Sequence, residues 1–189
     1  MKQLVLLITM LAASTTAVFS QYEYEPSAAY PYGRPNPEAP KEIKDYQELI
    51  GSCSCTSTLR NKDGNWAAPE KMTWTWRYIM NGMAVQDMTL KEDGGHTGSI
   101  RQFIADSAKW YVHFYSNKGP TTTLPTWEGN RIDDTMVLYK DSPAPNGMEG
   151  DYRLTFSNIT KSGYDWAGEW VSKDGTIVYP TWKIVCTKD

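Results

Sequence analysis

From Gly51 onward, apolar and polar residues alternate with period two over most of the chain, the signature of strands with one buried face. In MTWTWRYIM, Met72, Trp74, Trp76, Tyr78 and Met80 share one face, and Thr73, Thr75, Arg77 and Ile79 take the other. Asn81-Gly82 follows at once. A type I′ turn needs positive φ at both central residues, so this pair predicts a tight hairpin. That turn pairs Met80 with Met83, Tyr78 with Val85 and Trp76 with Asp87. Further alternating runs follow at GSIRQFIA, KWYVHFY, TWEG, TMVLYK, DYRLTFSNI, YDWAGEWV and VYPTWKIVC. Connections rich in Gly, Asn, Asp and Pro, such as NKGP, SPAPNG and SKDG, separate them. The pattern predicts an all-β antiparallel meander of about ten strands, with no room for parallel crossovers.

So many strands must hide their edges. Closing the sheet into a barrel removes every edge, whereas a two-sheet sandwich, the alternative, leaves four. Trp74, Trp76, Trp110, Trp166, Trp170 and Trp182 all fall inside alternating runs. Bulky rings on alternating positions suit a wide interior, provided each indole N–H finds a partner. Closure is therefore the favoured architecture. Before the first strand, PKEIKDYQELIG places Ile43, Tyr46 and Leu49 at helical spacing and ends in Gly51, so a short N-terminal helix is expected.

The flanks refine the organisation. Residues 1–20 read as an export leader: Lys2, an apolar core from Leu4 to Ala13, and a Val18-Phe19-Ser20 end. The core is too short to span a bilayer. A mature chain beginning near Gln21 is expected to be secreted or periplasmic. Residues 21–42 form a linker, whose stretch 21–40 holds five prolines and four tyrosines without apolar periodicity. Such composition favours an extended tether; a sticky arm for a partner is the alternative. Residues 43–189 are the barrel domain. Of 19 basic side chains the leader removes Lys2, leaving 18 against 22 acidic ones. That mildly acidic balance, with no basic stripe, argues against nucleic acid and anionic membranes as partners.

Several blocks carry a resemblance: AVQD (84–87), WEG (127–129), TFSNIT (155–160), YDWAGEWVSKDG (164–175) and the terminal TWKIVC. Together they resemble an uncharacterised, secreted family of lipocalin-like (calycin) barrels, a domain of unknown function whose wider group includes the haem-binding nitrobindins. The resemblance spans roughly residues 45–187. It implies a barrel with an internal cavity, a short helix near one end, and no established chemistry. One position departs from it. Relatives usually carry Trp two residues after the glycine opening the first strand, and here that residue is Cys53.

The cysteines are Cys53, Cys55 and Cys186. Cys53 and Cys55 lie two apart on one strand and do not readily bridge each other. A closed barrel pairs its first and last strands, so a disulfide is expected from Cys186 to Cys53 or to Cys55. No metal site follows from this spacing.

Candidate chemistry is sparse. His96 lies in a polar glycine-rich turn. His113 shares a face with Tyr111 and Tyr115, so an interior Trp110 turns it outward, and a haem iron would need the opposite. No cofactor is expected. HExxH, GxSxG, P-loop and Rossmann patterns are absent from the sequence. Asn158-Ile159-Thr160 fits a glycosylation acceptor but is short enough to arise by chance. Asp87 is the residue of interest. If its face is interior, it is a charge among aromatic rings and needs compensation from Arg101, Arg153 or a ligand; if exterior, it is solvated. Glu169 lies opposite Trp166 and Trp170. Three functional readings follow. The first is binding of a small, partly apolar ligand in a cavity lined by Trp74, Trp76, Tyr78, Asp87, Arg101, Trp110 and Trp166. The second is a small-molecule enzyme of isomerase or lyase type using Asp87 with an Arg or Tyr. The third is a structural or interaction protein with a packed barrel.

Overall fold

The computed structural model describes residues 22–188; the leader read from residues 1–20 lies outside them. A 3-10 helix, Lys41–Tyr46, is followed by ten antiparallel strands: β1 (Gly51–Leu59), β2 (Glu70–Ile79), β3 (Ala84–Lys91), β4 (His96–Ile104), β5 (Lys109–Ser116), β6 (Thr126–Ile132), β7 (Thr135–Asp141), β8 (Gly150–Thr160), β9 (Gly163–Ser172) and β10 (Val178–Lys188). Each strand pairs with its sequence neighbours, and β1 pairs with β10, so the sheet closes without an edge. Of the two architectures open to the alternating pattern, the closed barrel is the one adopted, lipocalin-like in kind.

The Asn81-Gly82 hairpin has the expected register. Trp76 faces Asp87, Tyr78 faces Val85, and Ile79 faces Ala84. Asn81 and Gly82 have φ of 54° and 75°, and the Met83 amide donates to the Met80 carbonyl at 3.2 Å. The question of which face of β2 looks inward is answered by burial: Met72, Trp74, Trp76 and Tyr78 are all buried, whereas Met80, in phase with them at the turn, is exposed.

The two barrel ends differ. Short turns at 80–83, 105–108, 133–134 and 161–162 gather at one end, where the helix packs. Ile43, Tyr46 and Leu49, the expected apolar face, are buried there. Tyr46 stacks on Trp76 at 5.6 Å and meets Trp110 edge-on at 4.8 Å. Longer connections, 60–69, 117–125 and 142–149, crowd the other end. That asymmetry marks the long-loop end as the natural mouth.

The Pro- and Tyr-rich segment does not run as a detached tether over its described part. The Tyr78 amide donates to the Tyr32 carbonyl at 2.9 Å, and the Asn36 amide donates to the Gly82 carbonyl at 3.1 Å. The Tyr24 amide donates to Asn81 Oδ1 at 3.0 Å. Gly33 and Gly82, both at positive φ, allow this approach: a Cβ on Gly82 would sit 2.5 Å from the Arg34 carbonyl oxygen. Proline supplies a chain with few donors to satisfy; the amides of Tyr24 and Asn36 find partners on the hairpin, and those of Gly33, Arg34 and Ala39 bond within the segment itself.

Cys55 and Cys186 face each other across the β1–β10 seam and form the disulfide. Cys53, the other candidate, sits opposite Lys188 and stays a buried thiol beside Tyr164. The bridge closes a loop with a sequence separation of 131 residues. In the chain-entropy picture that adds at most about 5 kcal/mol to stability. Alkylation of denatured, unreduced protein should modify one cysteine, and the Cys55→Ser/Cys186→Ser double variant should unfold at markedly lower urea. Three alkylated cysteines would contradict the seam bridge.

Candidate functional site

The barrel interior is divided across its axis. Toward the helix it is solid: Trp76, Trp110, Tyr46 and Phe156 are fully buried and pack against one another. Toward the long loops a cavity of about 360 Å³ opens, at the lower end of the range for small-molecule sites.

Between the halves lies a buried ion pair. Asp87 on β3 and Arg101 on β4 are 3% and 2% exposed, and both point inward because each is in phase with its strand's apolar positions. Arg101 Nε and Nη2 donate to Asp87 Oδ1 at 3.0 and 2.7 Å. Ser99 Oγ donates to the same oxygen at 2.9 Å, and Trp74 Nε1 donates to Oδ2 at 3.0 Å. Arg101 Nη1 reaches the Tyr46 hydroxyl at 3.4 Å. The guanidinium lies over the rings of Trp76, Tyr46 and Phe156 at 4.7, 5.1 and 5.4 Å. Burial alone would lower the guanidinium pKa; Asp87 and Tyr46 more than offset it, and the net direction is upward. The pair thus meets the conditions under which a buried charge is tolerated, namely an opposite charge, further hydrogen bonds and aromatic faces.

The cavity walls are unequal. β3 and β4 contribute a polar strip: Thr89 and Thr97, whose hydroxyls are 2.5 Å apart, then Ser99 and Asp87. Around the rest of the circumference stand Met72, Val112, Phe114, Trp127, Tyr152, Leu154, Trp166, Trp182 and Ile184. Several polar tips are already committed. Trp127 Nε1 donates to the Tyr152 carbonyl at 3.1 Å and Trp182 Nε1 to Ser57 Oγ at 2.8 Å. The Tyr152 hydroxyl bonds Thr181 Oγ1 at 2.6 Å. These rings therefore present faces and edges rather than donors. At the mouth, Lys91 pairs with Glu70 at 2.6 Å and Lys118 with Asp93 at 3.7 Å.

Of the residues expected to form the site, Trp74, Asp87, Arg101 and Trp166 line the cavity. Trp76, Tyr78 and Trp110 do not; all three are buried toward the helix end. Trp76 Nε1 donates to the Tyr164 hydroxyl at 2.9 Å, and Trp110 Nε1 donates to Asp45 on the helix at 3.0 Å. Tyr78 lies where the N-terminal segment crosses the hairpin, its buried hydroxyl without a protein partner among the described residues. These three share the inward phase of cavity residues but sit deeper along the axis. Arg153, the other candidate partner for Asp87, instead pairs with Glu169 at 2.7 Å. His113 bonds Thr126 Oγ1 at 3.0 Å and, as expected of a residue out of phase with Trp110, does not line the cavity. Ser99, Trp127, Tyr152 and Trp182 were missed as lining residues; for Ser99, Tyr152 and Trp182 the phase with Arg101, Leu154 and Ile184 was the available signal, whereas Trp127 is placed by its pairing with Val112.

No family model matches the chain, and no curated protein matches it. Among solved structures, the crystal structure of Rv2717c from M. tuberculosis is similar over 80% of this chain and 99% of that one, with 11% identity and a TM-score of 0.49. A redesigned β-barrel is similar over 76% of this chain and 93% of its own, with 11% identity and a TM-score of 0.31. The class is defined by the molecule's own topology: a closed ten-strand antiparallel barrel holding an end-open aromatic cavity above an ion pair.

Two outcomes follow from this geometry. Removing one member of the ion pair leaves the other buried and uncompensated, so Asp87→Asn or Arg101→Met should each cost about 3–5 kcal/mol in urea unfolding. The double variant Asp87→Asn/Arg101→Met should cost less than the two singles combined; strict additivity would show that the pair is not coupled. Burial pushes the Tyr46 hydroxyl up to about 12, with Arg101 pulling the other way. A folded pKa above the ordinary value of about 10 gives stability that is intact below pH ~10 and lost as pH rises toward ~12, on the order of 2–3 kcal/mol. Tyr46→Phe should remove that part of the alkaline loss in denaturation series at rising pH, and an unchanged alkaline slope would count against it.

Proposed function

We propose that this is an exported protein that binds a small, partly apolar ligand in the barrel cavity. The observation that carries the reading is the division of the interior. The sequence fills one half of the barrel completely and leaves the other hollow, with aromatic walls and a few fixed polar groups, the usual composition of a small-molecule site. A barrel evolved only for packing has no reason to keep Trp74, Trp166, Trp182 and Trp127 around a void of about 360 Å³. Unfilled interior volume costs stability.

The enzyme reading built on Asp87 draws less support. Both carboxylate oxygens already accept hydrogen bonds from Arg101, Ser99 and Trp74, so Asp87 is held as a fixed part of the floor. The seam disulfide supports export to an oxidising compartment. Among the described residues no helix is long and apolar enough to cross a membrane. The lipocalin-like resemblance of blocks such as YDWAGEWVSKDG fits the same reading.

Titration with an environment-sensitive apolar dye should give a saturable signal at one site per chain, with quenching of tryptophan emission. Ser116→Trp, placed at the cavity wall near the mouth, should weaken dye binding at least tenfold while leaving the melting temperature within a few degrees. Linear, unsaturable dye uptake in both proteins would overturn the binding reading.

A further inference from the structure

The ion pair at the cavity floor also constrains what the guest is. Resting on the binding reading above, we infer that the guest is an uncharged, largely apolar molecule carrying a hydrogen-bond donor at the end that reaches Asp87, as in an alcohol, phenol or amide.

The first ground is charge. Asp87 and Arg101 neutralise one another within 2.7 Å, below the guest's position, and both are almost completely buried. A guest carboxylate at the floor meets Asp87 first and finds the guanidinium already engaged. Four of its five N–H groups point at Asp87, Ser99 and Tyr46. A guest ammonium group gains Asp87 but meets Arg101 immediately behind it. Either charge loses its hydration without a dedicated counter-charge. The mouth repeats the arrangement, since Lys91 and Lys118 are each paired with an acid.

The second ground is the supply of acceptors. Asp87 Oδ2 receives a hydrogen bond from Trp74, and a carboxylate oxygen has room for a second. The hydroxyls of Thr89, Thr97 and Ser99 continue the polar strip toward the mouth. By contrast, the Trp74, Trp127 and Trp182 indole N–H groups are all directed to protein acceptors. At the floor, the donors of Trp74, Ser99 and Arg101 are already directed at Asp87, which keeps acceptor capacity to spare. A donor on the guest satisfies that acceptor; a carbonyl or carboxylate placed there does not. The remaining walls recognise only apolar surface and ring faces.

A matched series on one carbon skeleton tests this by calorimetry on the full mature chain: naphthalene, 2-naphthol, 2-naphthoate and 2-naphthylmethylammonium. 2-Naphthol should bind roughly tenfold tighter than naphthalene, the effect of one added hydrogen bond to a charged acceptor. The naphthoate and the ammonium compound should each bind at least tenfold more weakly than 2-naphthol. In Asp87→Asn, Arg101 loses its counter-ion, so the order of naphthol and naphthoate should invert. The wild-type series decides the matter even if that variant does not fold. Naphthoate equal to or tighter than 2-naphthol, or naphthalene equal to it, overturns the assignment of guest chemistry and leaves the cavity reading standing. No saturable heat with any of the four compounds overturns both.

Discussion

Everything inside this barrel is arranged around one unfavourable act, the removal of the Arg101 guanidinium from water. A buried cation is tolerated only when an opposite charge, hydrogen-bond acceptors and polarisable surface replace its hydration. Each replacement comes from a different element. Asp87 and Ser99 come from β3 and β4, Tyr46 from the helix, Trp76 from β2 and Phe156 from β8. Meeting those needs draws the helix into the barrel end and fills that half with rings. It also sets the depth at which packing stops and the cavity begins.

The features at the two ends answer to this division. The helix end has short turns and carries the N-terminal segment, laid against the Asn81-Gly82 hairpin by backbone hydrogen bonds. The mouth end has longer loops and paired surface charges. The Cys55–Cys186 bridge ties the first and last strands, the pairing with the largest sequence separation in the sheet. Closing that seam is entropically the most demanding step of the meander. A covalent link there holds the ring shut while one half of the interior is left unfilled.

Much of the fold was legible because period-two alternation reports directly which side chains point inward. The register of β2 against β3 followed from Asn81-Gly82 and put Asp87 on the face of Trp74 and Trp76; that this face looks inward was left open by the sequence and is given by the barrel. The choice between Cys53 and Cys55 was not legible. Both share one face, and only the stagger of β10 puts Cys186 opposite Cys55 rather than Cys53. The site was legible in part for a related reason. Phase separates inside from outside but says nothing about depth along the barrel axis. Trp74 and Trp76 have the same phase, yet one bounds the cavity and the other is sealed beneath it. Depth depends on strand tilt and on where the helix enters, which are tertiary properties. The proline-rich segment differs for another reason: composition reports the lack of periodic packing, whereas its described part is tied to the β2–β3 hairpin by backbone and side-chain hydrogen bonds.

The central claim is that the interior is hollow on one side of the Arg101–Asp87 pair and solid on the other. Methyl-resolved NMR under xenon pressure reads this without assuming any ligand, because xenon enters apolar voids of this size. The account predicts progressive shifts for methyls of Val112, Leu154 and Ile184, which line the cavity, and none for Ile43 and Leu49, which are packed at the helix end. Shifts at Ile43 and Leu49, or an absence of shifts at all five, would contradict it.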